Sequence, residues 1–527
     1  MHLILVADDI ARDGIDYLKS QADCMVEVAV GIKEPELCGR VREADALIVR
    51  SATRVTRNVL AAGRRLKVVG RAGIGVDNID VAAATELGIV VMNTPEANAN
   101  SAAELAIAHL FSLCRRLPAA DRSVRAGEWK RSQFTGAEVA GKTLGVIGFG
   151  NIGRIVAARG LGLKMRVLCH DPFVTAGVFA ERGVTAADLD SLLARSDFVT
   201  LHCPLIDATR HLLDAGRIAR MKPGARLINC ARGGLVDEKA LYEALKSGHL
   251  AGAALDVFEQ EPPGASPLFE LPNVEFTPHL GAATAEAQQA VGVEIARMIT
   301  AFLHNGEAAG AVNLPRLSRE QAERLRPHQA LALQLGRLLA RMAPAPLEHL
   351  EVTLHGQAAA LDPMPVAVEA LIGFLREHHA ATVNRVNAAH IARQQGITTS
   401  ESRSEETHDY VSLLRVGGRF GADRITLAGT LFDERHPRLV RINDYELEVA
   451  LEGHLLFTRH QDQPGVVGAL GTLLGDAGIN IARMQIGLAP GSDQAVAALG
   501  IAAPLTDEQL ARVRAIPAVK KAMQISL

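Results

Sequence analysis

The sequence predicts an α/β chain with two parallel sheets, followed by two smaller α+β modules. Three observations carry this prediction. A glycine-rich turn, GFGNIG, joins an apolar strand to a helix, short strands alternate with amphipathic helices along residues 3–63, and the segment from His454 has the order β-α-β-β-α-β. The 527 residues are too many for one hydrophobic core, so several domains are expected.

The glycine-rich turn is the most informative motif. Gly148, Gly150 and Gly153 occupy the first, third and sixth places of a G-x-G-x-x-G pattern that follows the apolar strand 144–147. Such glycines allow a tight turn, a close approach of the backbone to a pyrophosphate, and close packing of helix on strand. Asp171 ends the next strand, where its carboxylate can accept hydrogen bonds from ribose hydroxyls and repel a 2′-phosphate. We therefore expect a Rossmann-like domain that binds NAD rather than NADP.

Composition argues against several classes of function. The net charge of −3, without a long basic run, gives no electrostatic footprint for nucleic acid. No apolar stretch reaches the roughly 18 residues that span a bilayer, and the opening MHLILVADDI is typical of a first strand rather than a signal peptide. Six cysteines without a C-x-x-C pair favour a reducing cytoplasm and argue against disulfides or structural zinc.

The N-terminal strands predict a sheet whose loops face a ligand. Arg50, Ser51 and Arg54 follow the apolar strand 46–49, and Arg71 lies in the glycine-rich turn after the next strand. Because ligands bind beyond the carboxyl ends of parallel strands, these arginines are candidates to hold a phosphate or a carboxylate. Solvated surface arginines are the alternative.

Two long helices divide the first part of the chain. A helix from Ser101 to about Leu117 connects two lobes, and the polar arm after it carries Trp129, which favours an interface or a plain surface loop. A helix from Thr284 to about His304 returns the chain to the first lobe. The expected domains are a discontinuous first domain (1–98 and 284–312), a dinucleotide-binding domain (99–283), an α+β domain (313–453) with strands at 410–416, 424–432 and 439–451, and a ferredoxin-like domain (454–527).

Polar side chains follow successive strands of the dinucleotide-binding sheet. They are Cys203, Arg232, Asp256, Glu261 and His279. His279 suits a general base because imidazole titrates near neutrality, and a paired Glu261 would fix its ring. Arg232 offers a planar fork that matches a carboxylate. The alternatives are an exposed Glu261, a His279 that only caps the next turn, and an Arg232 that only forms an ion pair.

Seven stretches carry a resemblance to a known family. They are VRSATRVT, VVGRAGIGVDNID, MNTPEANANSAAE, GKTLGVIGFGNIGR, NCARGGLVDE, AGAALDVFEQEPP and TPHLGAAT. Through them the chain resembles the D-isomer-specific 2-hydroxyacid dehydrogenases, most closely the long members that oxidise 3-phosphoglycerate with NAD in serine biosynthesis. The resemblance implies that Arg232, Glu261 and His279 form the catalytic set. A glyoxylate or hydroxypyruvate reductase and an NAD-sensing corepressor-like binding protein are the alternatives.

The same resemblance implies a flavodoxin-like first domain and a set of ligand contacts. The implied cofactor contacts, besides the three glycines of the turn, are Ile74, Asn151, Ile152, Asp171, Cys203, Cys230, Ala231, Arg232, Asp256, His279, Leu280, Gly281 and Ala282. The implied substrate contacts are Arg50, Ser51, Arg54, Arg71, Asn98 and Arg131. Arg131 is expected to reach the site of a neighbouring subunit in a homodimer or homotetramer.

The resemblance further extends to the C-terminal modules. The segment from His454 is similar to an ACT regulatory domain that binds L-serine, with Asp462 and Asn480 at its ligand positions. The module before it is similar to the intervening domain of the long members. No metal is implied.

Overall fold

The computed structural model describes residues 1–315, 317–378, 383–406 and 409–527. These residues form two compact units, the first of residues 1–54, 70–78 and 92–310, the second of residues 55–69, 79–91 and 311–527. None of the described helices is both long and apolar enough to span a bilayer. The limits of the four domains expected from the sequence remain predictions.

The N-terminal strands form a five-stranded sheet. They are β1 (His2–Val6), β2 (Cys24–Val28), β3 (Ala46–Val49), β4 (Val68–Arg71) and β5 (Val90–Asn93), with helices α1 (Arg12–Ser20), α2 (Glu34–Arg40), α3 (Arg57–Ala62) and α4 (Val81–Glu86). The order β2-β1-β3-β4-β5 is that of a flavodoxin-like sheet, and β1 pairs in parallel with β2 and β3. This part of the fold prediction is confirmed.

The first unit contains a seven-stranded sheet. Its strands are β6 (Thr143–Ile147), β7 (Arg166–His170), β8 (Thr185–Ala186), β9 (Phe198–Leu201), β10 (Arg226–Asn229), β11 (Gly252–Leu255) and β12 (Val274–Phe276). All neighbours are parallel in the order β12-β11-β10-β9-β6-β7-β8. The strand order reverses between β6 and β9, and such sheets bind ligands beyond the carboxyl ends of the strands at that point. The glycine-rich turn follows β6 and therefore opens onto this crevice.

Helices flank the seven-stranded sheet. They are α5 (Ala99–Arg115), α6 (Leu117–Arg125), α7 (Asn151–Gly162), α8 (Ala176–Glu181), α9 (Leu189–Arg195), α10 (Ala215–Arg220) and α11 (Glu238–Lys246). Helix α12 (Ala285–Asn305) packs instead against α1 of the N-terminal sheet. The helix predicted from Ser101 to about Leu117 is α5, which ends at Arg115 because Arg116 adopts a left-handed φ of 54°. Helix α6 was not predicted. Pro118 lies in the first turn of α6, where its missing N–H costs no helical hydrogen bond.

The second unit contains two sheets that follow α13 (Arg319–Met342). The first sheet has the order β14-β13-β15-β16-β17-β18 and comprises β13 (His349–Gly356), β14 (Thr398–Ser404), β15 (Ser412–Phe420), β16 (Asp423–Phe432), β17 (His436–Ile442) and β18 (Tyr445–Ala450). Helices α14 (Pro363–Arg376) and α15 (Ala388–Gln394) and strand β14 were not predicted. The strand predicted over 439–451 is a hairpin that turns at Asn443, with a left-handed φ of 50°.

The C-terminal module has the predicted β-α-β-β-α-β order. Its elements are β19 (His454–Gln461), α16 (Val466–Asp476), β20 (Ile481–Leu488), β21 (Gln494–Ile501), α17 (Asp507–Arg514) and β22 (Val519–Ser526). The antiparallel sheet has the order β20-β21-β19-β22, and Leu456, Leu470, Leu499 and Val513 are buried in its core. The ferredoxin-like prediction is confirmed.

Candidate active site

His279 and Glu261 form a close pair beyond the carboxyl ends of the seven-stranded sheet. His279 Nδ1 lies 2.7 Å from Glu261 Oε2, and Glu261 Oε1 accepts a hydrogen bond from the Phe258 amide at 3.1 Å. Both side chains are partly exposed, at 47% and 37%. Because the carboxylate occupies Nδ1, Nε2 is the ring nitrogen left to exchange a proton with a ligand.

The surroundings of Glu261 keep it ionised. Partial burial raises the pKa of Glu261, and the hydrogen bond and charge of His279 lower it. The Phe258 amide and the positive charge of Arg232 act in the same direction, so the pKa lies below the ordinary glutamate value. The charge of Arg232 therefore acts on the carboxylate that pairs with His279.

A buried carboxylate holds the turn that carries His279. Asp256 Oδ1 accepts the Leu280 amide hydrogen at 2.6 Å, and Oδ2 accepts that of Gly281 at 2.9 Å. The backbone oxygen of Asp256 accepts a third bond from the His279 amide at 2.9 Å. His279 has a left-handed φ of 56°, a conformation that costs an ordinary residue roughly 1–2 kcal/mol. The three hydrogen bonds that Asp256 accepts stabilise this conformation.

Two of the three guanidinium nitrogens of Arg232 are tethered. Its Nε donates to Asp77 Oδ2 at 2.9 Å, and its Nη1 donates to the Ala231 carbonyl at 2.6 Å. A Cβ built on Gly75 would lie 1.9 Å from Nη2, so only glycine leaves room for this guanidinium. The predicted alternative, an ion-pair role, is therefore present in the structure. No hydrogen bond occupies Nη2 among the residues that the structure describes, so this nitrogen can bind an anion.

Arg71 is a largely buried cation. Its burial, and then the neighbouring charges of Arg232 and Arg50, lower its pKa to about 10. Within the described residues its Nε has no hydrogen-bond partner, and its Nη1 reaches only the Ala72 carbonyl at 3.5 Å. Burying a guanidinium without an anion is costly, and a bound carboxylate or phosphate would remove that cost.

Asp8 and Asn78, which sequence analysis missed, fix the loop that carries Arg50, Ser51 and Arg54. Asp8 accepts hydrogen bonds from the Arg50 amide at 2.6 Å and from the Thr53 hydroxyl at 2.6 Å. Asn78 donates to the carbonyls of Arg50 and Thr53 at 2.7 and 2.6 Å. Ser51 and Arg54 are left exposed. Two consecutive acidic residues after β1, Asp8 and Asp9, were the signal in the sequence that could have revealed these hydrogen bonds.

The glycine-rich turn has the geometry that a pyrophosphate requires. Gly148 has a φ of 93°, and a Cβ on Gly153 would lie 2.0 Å from the Gly148 carbonyl oxygen. A Cβ on Gly150 would meet nothing within 4 Å, so this face of the turn is open to a ligand. Asp171 accepts the Phe149 amide hydrogen at 2.8 Å, which places its carboxylate beside the turn. Asn151 and Ile152 then begin helix α7, whose amides favour an anion.

The remaining predicted residues fall into three groups. Cys203, Cys230 and Ala231 follow β9 and β10 at the crevice, Ala282 closes the turn after Gly281, and Ile74 lies between Arg71 and Asp77. Asn98 is buried, and its Oδ1 lacks a hydrogen-bond partner among the described residues. Arg131, Asp462 and Asn480 are exposed, and no described contact joins them to the residues above. Their roles stay predictions.

Comparison with known proteins agrees with this geometry. Residues 107–281 match the NAD-binding domain of the D-isomer specific 2-hydroxyacid dehydrogenases, residues 324–443 match the D-3-phosphoglycerate dehydrogenase intervening domain, and residues 454–498 match the ACT domain. Among solved structures, D-lactate dehydrogenase from Aquifex aeolicus, complexed with NAD and lactic acid, is 30% identical. The superposition covers 59% of this chain and 100% of the D-lactate dehydrogenase chain, with a TM-score of 0.55.

Relatives of the whole chain are more specific. D-3-phosphoglycerate dehydrogenase of Synechocystis is 42% identical over 528 residues, which cover 100% of this chain and 95% of the relative. That of Methanocaldococcus jannaschii is 40% identical over 525 residues, which cover 99% of each chain. The chain belongs to the D-3-phosphoglycerate dehydrogenase family, with its NAD-binding, intervening and ACT domains.

Proposed function

We propose that the protein oxidises 3-phospho-D-glycerate to 3-phosphohydroxypyruvate with NAD, the first step of phosphorylated L-serine biosynthesis. The observation that carries the proposal is the pair of His279 and Glu261 at 2.7 Å, on which the charge of Arg232 also acts. Full-length relatives at about 40% identity carry the corresponding name. Arg71 Nε, which lacks a hydrogen-bond partner among the described residues, supports a substrate with an anionic group in addition to the one at Arg232.

The chain supplies the acid–base and binding groups of this reaction. The glycine-rich turn and Asp171 would hold NAD, which would supply the acceptor for the C2 hydride. His279 Nε2 takes the proton of the C2 hydroxyl, and the Glu261 carboxylate stabilises the resulting imidazolium. Arg232 Nη2 binds the substrate carboxylate and polarises the forming carbonyl. Arg50, Arg54 and Arg71 hold the remaining anionic groups, with Ser51 and Asn98 as further contacts.

A spectrophotometric assay tests this proposal. With 3-phosphoglycerate and NAD at alkaline pH, we expect absorbance of NADH to rise, and to rise more slowly with glycerate, lactate or glycolate. Faster reduction of glyoxylate or hydroxypyruvate by NADH would instead assign a reductase. Binding of NAD without turnover of any of these acids would assign a binding protein.

We also propose the regulatory and cellular context. Asp462 and Asn480 are exposed in the ACT domain, near the start of α16 and of β20, and L-serine is their proposed ligand. Arg131 is proposed to reach the site of a second subunit in a homodimer or homotetramer in the cytoplasm. The domain limits 1–98 with 284–312, 99–283, 313–453 and 454–527 belong to the same proposal. Serine titration of the initial rate, and light scattering, test these points.

Replacement of Asp171 by asparagine tests the cofactor preference. This change keeps the shape of the side chain and removes the charge that repels a 2′-phosphate. We expect the ratio of kcat/KM for NAD to that for NADP to fall about tenfold or more, equivalent to ~1.4 kcal/mol. An unchanged ratio would show that other residues select the cofactor.

Replacement of Asp77 by asparagine tests the tether of Arg232. Asp77 is 61% exposed, so its ion pair should add only about 0–1 kcal/mol to stability, and Tm should stay close to that of wild type. The kcat/KM for 3-phosphoglycerate should nevertheless fall about tenfold, because a hydrogen bond that orients a charged group is weakened. Asp16→Asn, which breaks the exposed pair with Arg12, is the matched control. Equal kinetics in both variants would contradict the tether.

A further inference from the structure

A hydrogen-bonded chain leads from helix α5 to the carboxylate that holds the His279 turn. His109 Nε2 lies 3.1 Å from Thr277 Oγ1, and the Thr277 hydroxyl donates to Asp256 Oδ1 at 2.6 Å. Both distances are those of ordinary hydrogen bonds. His109 is 6% exposed and lies in the middle of α5, remote in sequence from the other two residues. Neither His109 nor Thr277 has a role in the reaction described above.

The direction of each bond follows from the hydrogens available. A threonine hydroxyl has one hydrogen, and in Thr277 that hydrogen points to the Asp256 carboxylate, which only accepts. Thr277 must therefore accept from His109, so the hydrogen of the imidazole sits on Nε2. On the other side of the ring, His109 Nδ1 faces the Glu275 carboxylate at 4.0 Å.

The chain acts on the part of Asp256 that holds the catalytic turn. Oδ1 receives the Thr277 hydroxyl as well as the Leu280 amide, and Oδ2 receives the Gly281 amide. Rotation of the carboxylate would therefore shift both amides next to His279. Because His279 is held in a left-handed conformation, a looser turn would let its imidazole leave the position in which Glu261 and a substrate hydroxyl both reach it.

We propose that His109 and Thr277 are positioning residues for proton transfer, which fix Asp256 and thereby the imidazole of His279. The inference rests on the proposed dehydrogenase function. It assigns to α5 a part in catalysis in addition to its part in the fold. Simple filling of the interior by the same two side chains would not require their hydrogen-bonding groups.

Two pairs of variants separate positioning from packing. Thr277→Val keeps the volume and removes the hydroxyl, while Thr277→Ser keeps the hydroxyl and removes a methyl group. His109→Leu removes the N–H, and His109→Gln offers an amide N–H in a similar place. Leucine is preferred to alanine because a cavity of about 470 Å³ adjoins His109, and water could replace a smaller side chain there.

We expect kcat to fall about tenfold or more in Thr277→Val and His109→Leu, with the KM for 3-phosphoglycerate nearly unchanged. Thr277→Ser and His109→Gln should retain most of the turnover. Equal kcat values within each pair would overturn the proposal. If Thr277→Val does not fold, the His109 pair makes the same comparison.

Amide hydrogen exchange provides a second measurement that needs no turnover. The amides of Leu280 and Gly281 should exchange faster in Thr277→Val than in Thr277→Ser, because the carboxylate that accepts them is less fixed. Equal exchange in the two variants would overturn the positioning role even in an active enzyme. A wild-type protein that turns over no 2-hydroxy acid would instead remove the proposed function, and the exchange rates would still decide whether the chain holds the turn.

Discussion

Replacing His279 with alanine should lower kcat with 3-phosphoglycerate by about 10²- to 10⁴-fold, the usual contribution of a general base. Glu261 fixes Nδ1 of the imidazole, which leaves Nε2 for the substrate. Without the imidazole, the C2 hydroxyl proton must pass to water. Steady-state kinetics measures the loss, and calorimetric titration with NAD should show that cofactor binding is retained.

His211→Ala is a closely matched control for this experiment. His211 also has a left-handed φ, of 48°, and also pairs with a glutamate, Glu259, at 3.2 Å. Its replacement removes a similar pair at a similar exposure and should leave kcat within about twofold of wild type, as for most surface changes. His279→Asn adds a side chain that tolerates the left-handed region. If His279→Ala loses no more activity than His211→Ala, His279 is not the base.

The nucleotide half of the fold could be predicted because its signals are local. Gly148, Gly150 and Gly153 stand at fixed spacing, and Asp171 follows the next strand, so strand, turn, helix and acid can be read along one stretch of chain. The carboxyl edge of a parallel sheet then brings Arg232 and His279 to one crevice whatever the details of the loops. The structure confirms the strand, the turn, the helix and the parallel sheet, and the roles of the individual residues stay predictions.

The residues that support the site could not be predicted in the same way. Asp8, Asp77 and Asn78 act through hydrogen bonds to loops far away in the sequence, and no spacing rule links them. His109 lies on the apolar face of a helix, where the sequence pattern predicts only a buried core residue. The break between α5 and α6 depends on one left-handed residue, Arg116, which is not a residue type that favours this conformation. Tertiary contacts decide all of these features.

Replacing Glu261 with glutamine should lower kcat by about 10²- to 10⁴-fold although the shape of the side chain is kept. In wild type, Oε1 accepts from the Phe258 amide while Oε2 accepts from His279 Nδ1. Glutamine has one oxygen, and if that oxygen stays with Phe258, its NH₂ group faces Nδ1. Nδ1 must then accept, so the ring hydrogen moves to Nε2, where it blocks the base. The equivalent Asp-to-Asn change in a serine-protease triad costs about 10⁴-fold by this route.

The pH profile distinguishes this tautomer effect from a simple loss of charge. The pKa of Glu261 is held below its ordinary value, so the carboxylate is ionised throughout the neutral and alkaline range and loses its charge only as the pH falls through that lowered value. The defect of Glu261→Gln should therefore persist at alkaline pH, where a base with merely altered affinity for protons would recover. Glu259→Gln, on the same loop, is the control, since Glu259 pairs with His211. Recovery of kcat at alkaline pH, or an equal loss in both variants, would mean that Glu261 does not set the tautomer of His279.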